Sequence, residues 1–218
     1  AVMACMRSIV HASALVLALA TLSVSLGAQG RSATDVPVKD FRLRSTDGRM
    51  VSLADYPDAP ACIIIFTCNH CPFAKLYPER LNALAARFAA AKVPLLAINS
   101  VDSLLFEDET EERMAMVARE QRWIFPYLHD ARQEVARDFH ADKTPHAFVL
   151  KHMRGTGVTG TDEWRIAYDG AIDDNGAEPA KVRHAYVADA VKAVLAGKRV
   201  PTRSTGSIGC AIRYRSLR

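Results

Sequence analysis

The sequence predicts an α/β fold, a three-layer sandwich whose mixed central β-sheet is flanked by helices. Three observations predict it. The run Ala61–Phe66 (A-C-I-I-I-F) is almost wholly β-branched or aromatic, as a strand covered on both faces must be. Val93–Asn99 (V-P-L-L-A-I-N) is a second such run, and between the two Phe73, Leu76, Tyr77, Leu81, Leu84 and Phe88 recur at helical spacing. The full order, βαβα followed by ββα, brings parallel and antiparallel strands into one sheet.

The remaining elements follow in order. Phe41–Leu43 and Met50–Leu53 flank Asp47-Gly48 and read as a short hairpin. The helix after the first buried strand is predicted from near Cys71 to about Ala91. Pro78 lies inside it and is expected to kink it, because its ring displaces a backbone hydrogen bond. A second helix starts in the acid-rich Asp108–Glu112, carries Met114 and Val117 on its apolar side and ends near Arg119 and Arg122, with charges that complement its macrodipole. Phe125–Leu128 precedes a helical stretch, Ala131–Phe139. Ala147–Leu150 and Trp164–Tyr168 form a strand pair, and Val182, Tyr186, Ala190, Val194 and Leu195 trace a last helix that Gly197 ends. With no internal repeat and no second core, one domain is expected over Val36–Val200, followed by a basic tail over residues 201–218.

Composition narrows the function classes. The chain has 218 residues, 28 Lys+Arg against 24 Asp+Glu, and 50% apolar residues, which excludes a disordered or collagen-like chain. No Lys/Arg block exceeds two residues, so nucleic acid is not an expected partner. Arg7 is followed by an uncharged stretch to Gly30 with a compact apolar block, Ala12–Ala20, and small residues at Ser25–Ala28. This is the pattern of a secretory signal, expected over residues 1–28 with Met6, or else Met3, as the initiator. Its apolar part is well short of the ~20 residues that span a bilayer, so membrane attachment is expected only if the segment stays uncleaved. Cleavage removes Arg7 and Cys5 and leaves a charge of +3 (27 − 24). The expected location is periplasmic or secreted, where disulfides persist.

Four cysteines then remain: Cys62, Cys68, Cys71 and Cys210. Thr67-Cys68-Asn69-His70-Cys71-Pro72 lies at the corner between the first buried strand and its helix. Two cysteines three apart at a helix N-terminus can close a small disulfide, and the free N–H groups of that end favour thiolate over thiol. Such surroundings bring a thiol from about 8.5 down to between about 3.5 and 7.5. Thr67 and His70 flank the pair, and an imidazolium at His70 would favour the thiolate further. A stabilised thiolate stabilises the dithiol, so a couple more oxidising than thioredoxin's is expected. Half of a structural zinc site is the plainer reading of C-x-x-C, but it needs a second close pair. Cys210 stands alone, and His140, His146 and His152 are spaced by six. A transferable copper or zinc site using the pair and one His remains a further alternative. Cys62, inside the strand, reads as an inert buried thiol. Cys210 is either an accessory thiol, resolving or pairing with a partner, or a packed thiol in a docked tail. Thr144-Pro145 is either an ordinary turn or a cis-proline loop facing the pair, with backbone open to a substrate strand.

These segments resemble the thioredoxin-fold superfamily, specifically the peroxiredoxin-like branch of the alkyl hydroperoxide reductase/thiol-specific antioxidant (redoxin) family. The resemblance rests on F-T-C-N-H-C-P-F-A-K (Phe66–Lys75), A-I-N-S (Ala97–Ser100), F-P-Y-L-H-D (Phe125–Asp130), T-P-H-A-F (Thr144–Phe148), Y-D-G-A-I-D-D (Tyr168–Asp174) and S-I-G-C-A-I-R-Y (Ser207–Tyr214). It implies a thioredoxin-like sandwich, Cys68 and Cys71 as the redox pair, and Thr144-Pro145 as the cis-proline loop. Two features depart from the family. The peroxiredoxin T-x-x-C spacing is absent, since Thr67 adjoins Cys68 and lies four before Cys71, and no activating Arg can be assigned. The tryptophan that precedes the pair in thioredoxin is replaced by Thr67. The expected activity is thiol–disulfide exchange, with Cys68 attacking as thiolate and Cys71 resolving. Peroxidase chemistry at Cys71 is the alternative, and a metal-delivering chaperone a third reading. Expected partners are a protein dithiol or disulfide and a recycling reductase or oxidase, with peroxide as the alternative oxidant; no cofactor or metal is expected.

Overall fold

The computed structural model describes residues 34–155 and 160–216; the signal segment read from the sequence lies outside them. Ten strands and four α-helices follow in chain order. β1 (Pro37–Val38), β2 (Arg42–Ser45), β3 (Met50–Ser52) and β4 (Ala61–Phe66) precede α1 (Pro78–Ala89) and β5 (Leu95–Asn99). α2 (Glu111–Glu120), β6 (Tyr127–His129), α3 (Glu134–Phe139), β7 (Lys143–Thr144) and β8 (His146–Met153) come next. β9 (Glu163–Gly170), α4 (Tyr186–Leu195) and β10 (Cys210–Ala211) complete the chain.

Eight strands form one sheet in the order β1-β9-β8-β4-β5-β6-β2-β3. β5 runs parallel to β4 and β6, whereas β8 and β9 are antiparallel to their neighbours, so the sheet is mixed. β4 is central, and its side chains divide the core by the period of two. Ile63 and Ile65 pack with Leu81, Leu84 and Phe88 of α1, Met114 of α2 and Val187 and Val191 of α4. Cys62, Ile64 and Phe66 face the opposite layer, with Val135, Ala136 and Phe139 of α3. Cys62 is thus a buried core thiol on the face away from α1, and desolvation holds its pKa far above the ordinary thiol value. An Ile64→Val change on this fully buried position removes one methylene, and urea unfolding is expected to show a loss of about 0.5–1.5 kcal/mol.

The predicted kinked helix is not formed. Ala74–Leu76 makes a single 3₁₀ turn, and the α-helix starts afresh with Pro78 in its first turn. There the missing N–H of proline removes a donor that would be unpaired anyway, so Pro78 starts a helix instead of bending one. The basic tail is docked on the domain. The described residues belong to one compact unit. Ile212 is buried, Gln133 donates to the Arg213 carbonyl at 2.9 Å, and Arg215 Nε meets Asp102 Oδ2 at 2.6 Å. No described helix is long and apolar enough to cross a membrane.

Candidate active site

The site forms where β4 ends. The Thr67 amide donates to the Ile98 carbonyl at 2.9 Å, the last tie to β5, and the chain then turns through Cys68–Cys71. A buried carboxylate shapes that turn. Glu109, fully excluded from solvent, accepts the Asn69 amide on both oxygens at 3.0 Å, the His70 amide at 2.8 Å and Asn99 Nδ2 at 2.6 Å. The His70 ring reaches the same carboxylate, Nδ1 to Oε1 at 2.6 Å, and stacks on Phe106 with centroids 4.2 Å apart. Tyr127 supports the turn from beneath by donating to Asn69 Oδ1 at 3.0 Å. An anion receiving consecutive backbone N–H groups fixes a loop as a helix terminus would fix a bound phosphate. The expected helix N-terminus is therefore replaced, as an organiser of the pair, by Glu109.

Both sulfurs lie against the residue before Pro145, and the Thr144–Pro145 peptide is cis. Cys68 Sγ is 3.0 Å from Thr144 Oγ1, and the Cys71 thiol donates to the Thr144 carbonyl at 3.0 Å. Both cysteines are buried and unpaired, and with Ala74 and Val101 they form a small apolar cluster that Cys210 packs against. Cys68 lines a groove on the α2 side together with Thr67, Lys75, Arg113 and Met116.

The two thiols are tuned in opposite directions. Burial, with a further contribution from the negative Glu109, pushes Cys68 up to about 12. At Cys71 burial also opposes ionisation, but hydrogen bonds from the Cys210 thiol, the Ala74 and Cys210 amides and Thr144 outweigh it, and its pKa falls below the ordinary thiol value. The directions favour Cys71, where the sequence reading put the thiolate on Cys68. His70 is turned onto Glu109, and the positive helix end lies further along the chain at Pro78. What remains of the argument for an oxidising couple is the stabilised thiolate of Cys71.

Absorbance titration of reduced protein is expected to show one thiolate ionising below the ordinary ~8.5, a step that Cys71→Ser removes. A folded-state pKa lowered in this way contributes stability that is fully present above ~8.5 and lost as pH falls through the folded value. The stability of reduced wild type over Cys71→Ser should therefore rise across that interval. An advantage that shrank with rising pH would contradict the assignment.

Thr144 holds a second surprise. Instead of presenting an open edge, β7 is paired antiparallel with β10, Cys210 opposite Thr144 and Ala211 opposite Lys143. The chain's own tail occupies the backbone that the sequence reading left for a substrate strand. Cys68, His70 and Glu109 bring ligand-type atoms within 4.8 Å of one another. Glu109, however, is already saturated by protein donors, which leaves that trio a hydrogen-bonded organiser of the loop.

The AhpC/TSA family profile matches residues 34–172. The chain belongs to the AhpC/TSA family. Among solved structures, a hypothetical protein from Sinorhizobium meliloti is 34% identical, with a TM-score of 0.73 over 84% of this chain and 96% of that one. An uncharacterized conserved protein from Geobacillus kaustophilus is 31% identical, with a TM-score of 0.75 over 87% and 96%. A protein of Chlorobium tepidum assigned as the thiol:disulfide interchange protein DsbE is 16% identical, with a TM-score of 0.55 over 74% and 97%, a likeness of fold. The curated proteins contain no match. The AhpC/TSA sandwich of this chain is thioredoxin-like, and the family is one of redox enzymes. Sequence reasoning located Cys68, Cys71, Thr144 and Pro145 in one place, as the structure does. It missed Glu109, which in an acid-rich stretch looks like any solvated helix start, and it left Cys210 undecided.

Proposed function

We propose that this AhpC/TSA protein is an exported thiol–disulfide oxidoreductase working through reversible oxidation of Cys68 and Cys71. The observation that carries the reading is the meeting of both sulfurs at Thr144, each 3.0 Å from one of its oxygens, with Cys71 favoured as thiolate. The Cys71 thiolate attacks a sulfur of a partner disulfide; the Cys71–partner bond forms and the other partner sulfur leaves as thiolate, taking a proton. Cys68 then gives up its proton and attacks Cys71 Sγ, closing Cys68–Cys71 and releasing the partner's second thiol. Oxidation of a partner dithiol runs these steps in reverse. The roles are thus exchanged relative to the sequence reading, in which Cys68 attacks first. Thr67 and His70 act by holding the loop, and Thr144 and Pro145 form the wall against which the partner sulfur is presented. A protein dithiol or disulfide is the substrate, and a reductase or oxidase of the periplasm or cell exterior recycles the pair.

Peroxide reduction is the second reading, favoured by the lowered pKa of Cys71, which suits a sulfur that becomes a sulfenic acid before Cys68 condenses with it. Among the described residues, no arginine hydrogen-bonds to either cysteine sulfur. Insulin reduction and reactivation of scrambled ribonuclease, measured beside hydrogen peroxide consumption, separate the two. Turnover of protein disulfides without peroxide consumption supports exchange; rapid peroxide consumption that depends on Cys71 transfers the assignment to the peroxidase.

A further inference from the structure

We infer that Cys210 is a third redox-active thiol, exchanging a disulfide with Cys71 so that Cys71 stands at the centre of a relay between Cys68 and Cys210. The inference rests on the thiol-exchange reading above and adds to it a second route to Cys71, through the partly exposed Cys210.

Three independent placements carry it. Cys210 is the partly exposed member of the group, whereas Cys68 and Cys71 are buried. It packs on the same small cluster as the pair, and in the β7–β10 ladder it stands opposite Thr144, whose carbonyl the Cys71 thiol meets at 3.0 Å. The strand that bears it is fastened at both ends. Upstream, Ser204 bridges to Asp169 and the Thr205 amide donates to the Asp169 carbonyl at 3.0 Å; downstream, the Ile212 amide donates to the Asp142 carbonyl at 2.9 Å. Between these anchors Gly209 presses on the redox wall. A Cβ at that position would stand 2.1 Å from the Thr144 carbonyl oxygen and 2.6 Å from its carbon, so only glycine lets the tail approach this closely.

The surfaces on either side differ. Cys68 opens to the groove beside α2. The tail instead borders an apolar groove lined by Phe73, Leu76, Pro145, Ile172, Tyr186 and Ile208, of which Phe73, Leu76 and Ile208 are exposed. Cys71 lines neither groove.

The steps balance without an added oxidant. In the oxidised protein the Cys210 thiolate attacks Cys71 Sγ; the Cys71–Cys210 bond forms, the Cys68–Cys71 bond breaks, and Cys68 takes up the proton that Cys210 gave. An external dithiol then attacks Cys210, and Cys71 departs as thiolate. The second thiol of the partner resolves the mixed disulfide, leaving the partner oxidised, Cys210 free and the protein reduced. A sulfur with a lowered pKa leaves faster, which suits Cys71 to the central position.

The test equilibrates the full chain in dithiothreitol redox buffers, quenches with acid, tags free thiols and maps disulfides by peptide mass. In Cys68→Ser, a Cys71–Cys210 disulfide is expected. In Cys210→Ser, Cys68–Cys71 should still form, while oxidation of a protein dithiol slows about ten-fold or more. Gly209→Ala, which keeps every cysteine but lifts the strand, should slow the same step without changing the disulfide pair of the wild type. If Cys68→Ser keeps Cys71 and Cys210 as thiols in buffers where the wild type closes Cys68–Cys71, the relay is overturned and the exchange reading survives. If the wild type itself never closes Cys68–Cys71, both fall.

Discussion

Replacing Cys71 by serine is expected to lower turnover of protein disulfides by about three orders of magnitude or more, the scale of loss when a covalent nucleophile is removed. The size follows from its position. Cys71 is the sulfur whose thiolate is stabilised, and both disulfides within the chain, Cys68–Cys71 and Cys71–Cys210, contain it. Serine keeps the shape of the side chain, and a hydroxyl can still donate to the Thr144 carbonyl that the thiol meets at 3.0 Å. The fold should therefore survive, and far-ultraviolet circular dichroism with urea unfolding checks that it does. The measurement is insulin reduction at matched folded concentration. Retention of activity within ten-fold of wild type would remove Cys71 from the chemistry.

Glu109→Ala is expected to be the most destabilising single change at the site, by about 3–5 kcal/mol in urea unfolding. It strips the acceptor from the Asn69 and His70 amides, Asn99 Nδ2 and the His70 ring, all of which converge on this one buried carboxylate. Donors left unpaired away from water incur their full desolvation cost. Glu109→Gln keeps the volume and removes the charge, so it separates the two roles of the residue. Its negative charge contributes to holding Cys68 near 12, and neutralising it should let Cys68 ionise at lower pH in the absorbance titration. A purely structural Glu109 would leave that step unmoved.

Several features were legible in the residues because their causes are local. β4 and β5 are continuous runs of buried β-branched and aliphatic residues, which few other arrangements can use, and α1 and α4 carry their apolar positions at helical spacing. The cysteine spacing pointed to a candidate redox pair because two thiols three residues apart can meet without help from the rest of the chain. Pro78 was misplaced for an equally local reason. Proline is compatible with the first turn of a helix and incompatible with its interior, and the apolar spacing continues across Leu76 and Tyr77 without showing that a new helix begins there.

By itself, the sequence determined the α/β architecture, the strand-to-helix corner and the identity of the two sulfurs placed there. Only the tertiary structure decided which of them ionises, because that depends on burial and on donors brought from residues far along the chain. Glu109 arrives beside Cys68 from the 3₁₀ turn that precedes α2, and Cys210 arrives beside Cys71 from the tail. Both contacts join residues about forty or more positions apart in the sequence. Spacing rules describe residues within a turn or two of one another; the field at a buried sulfur sums over everything that folding packs around it.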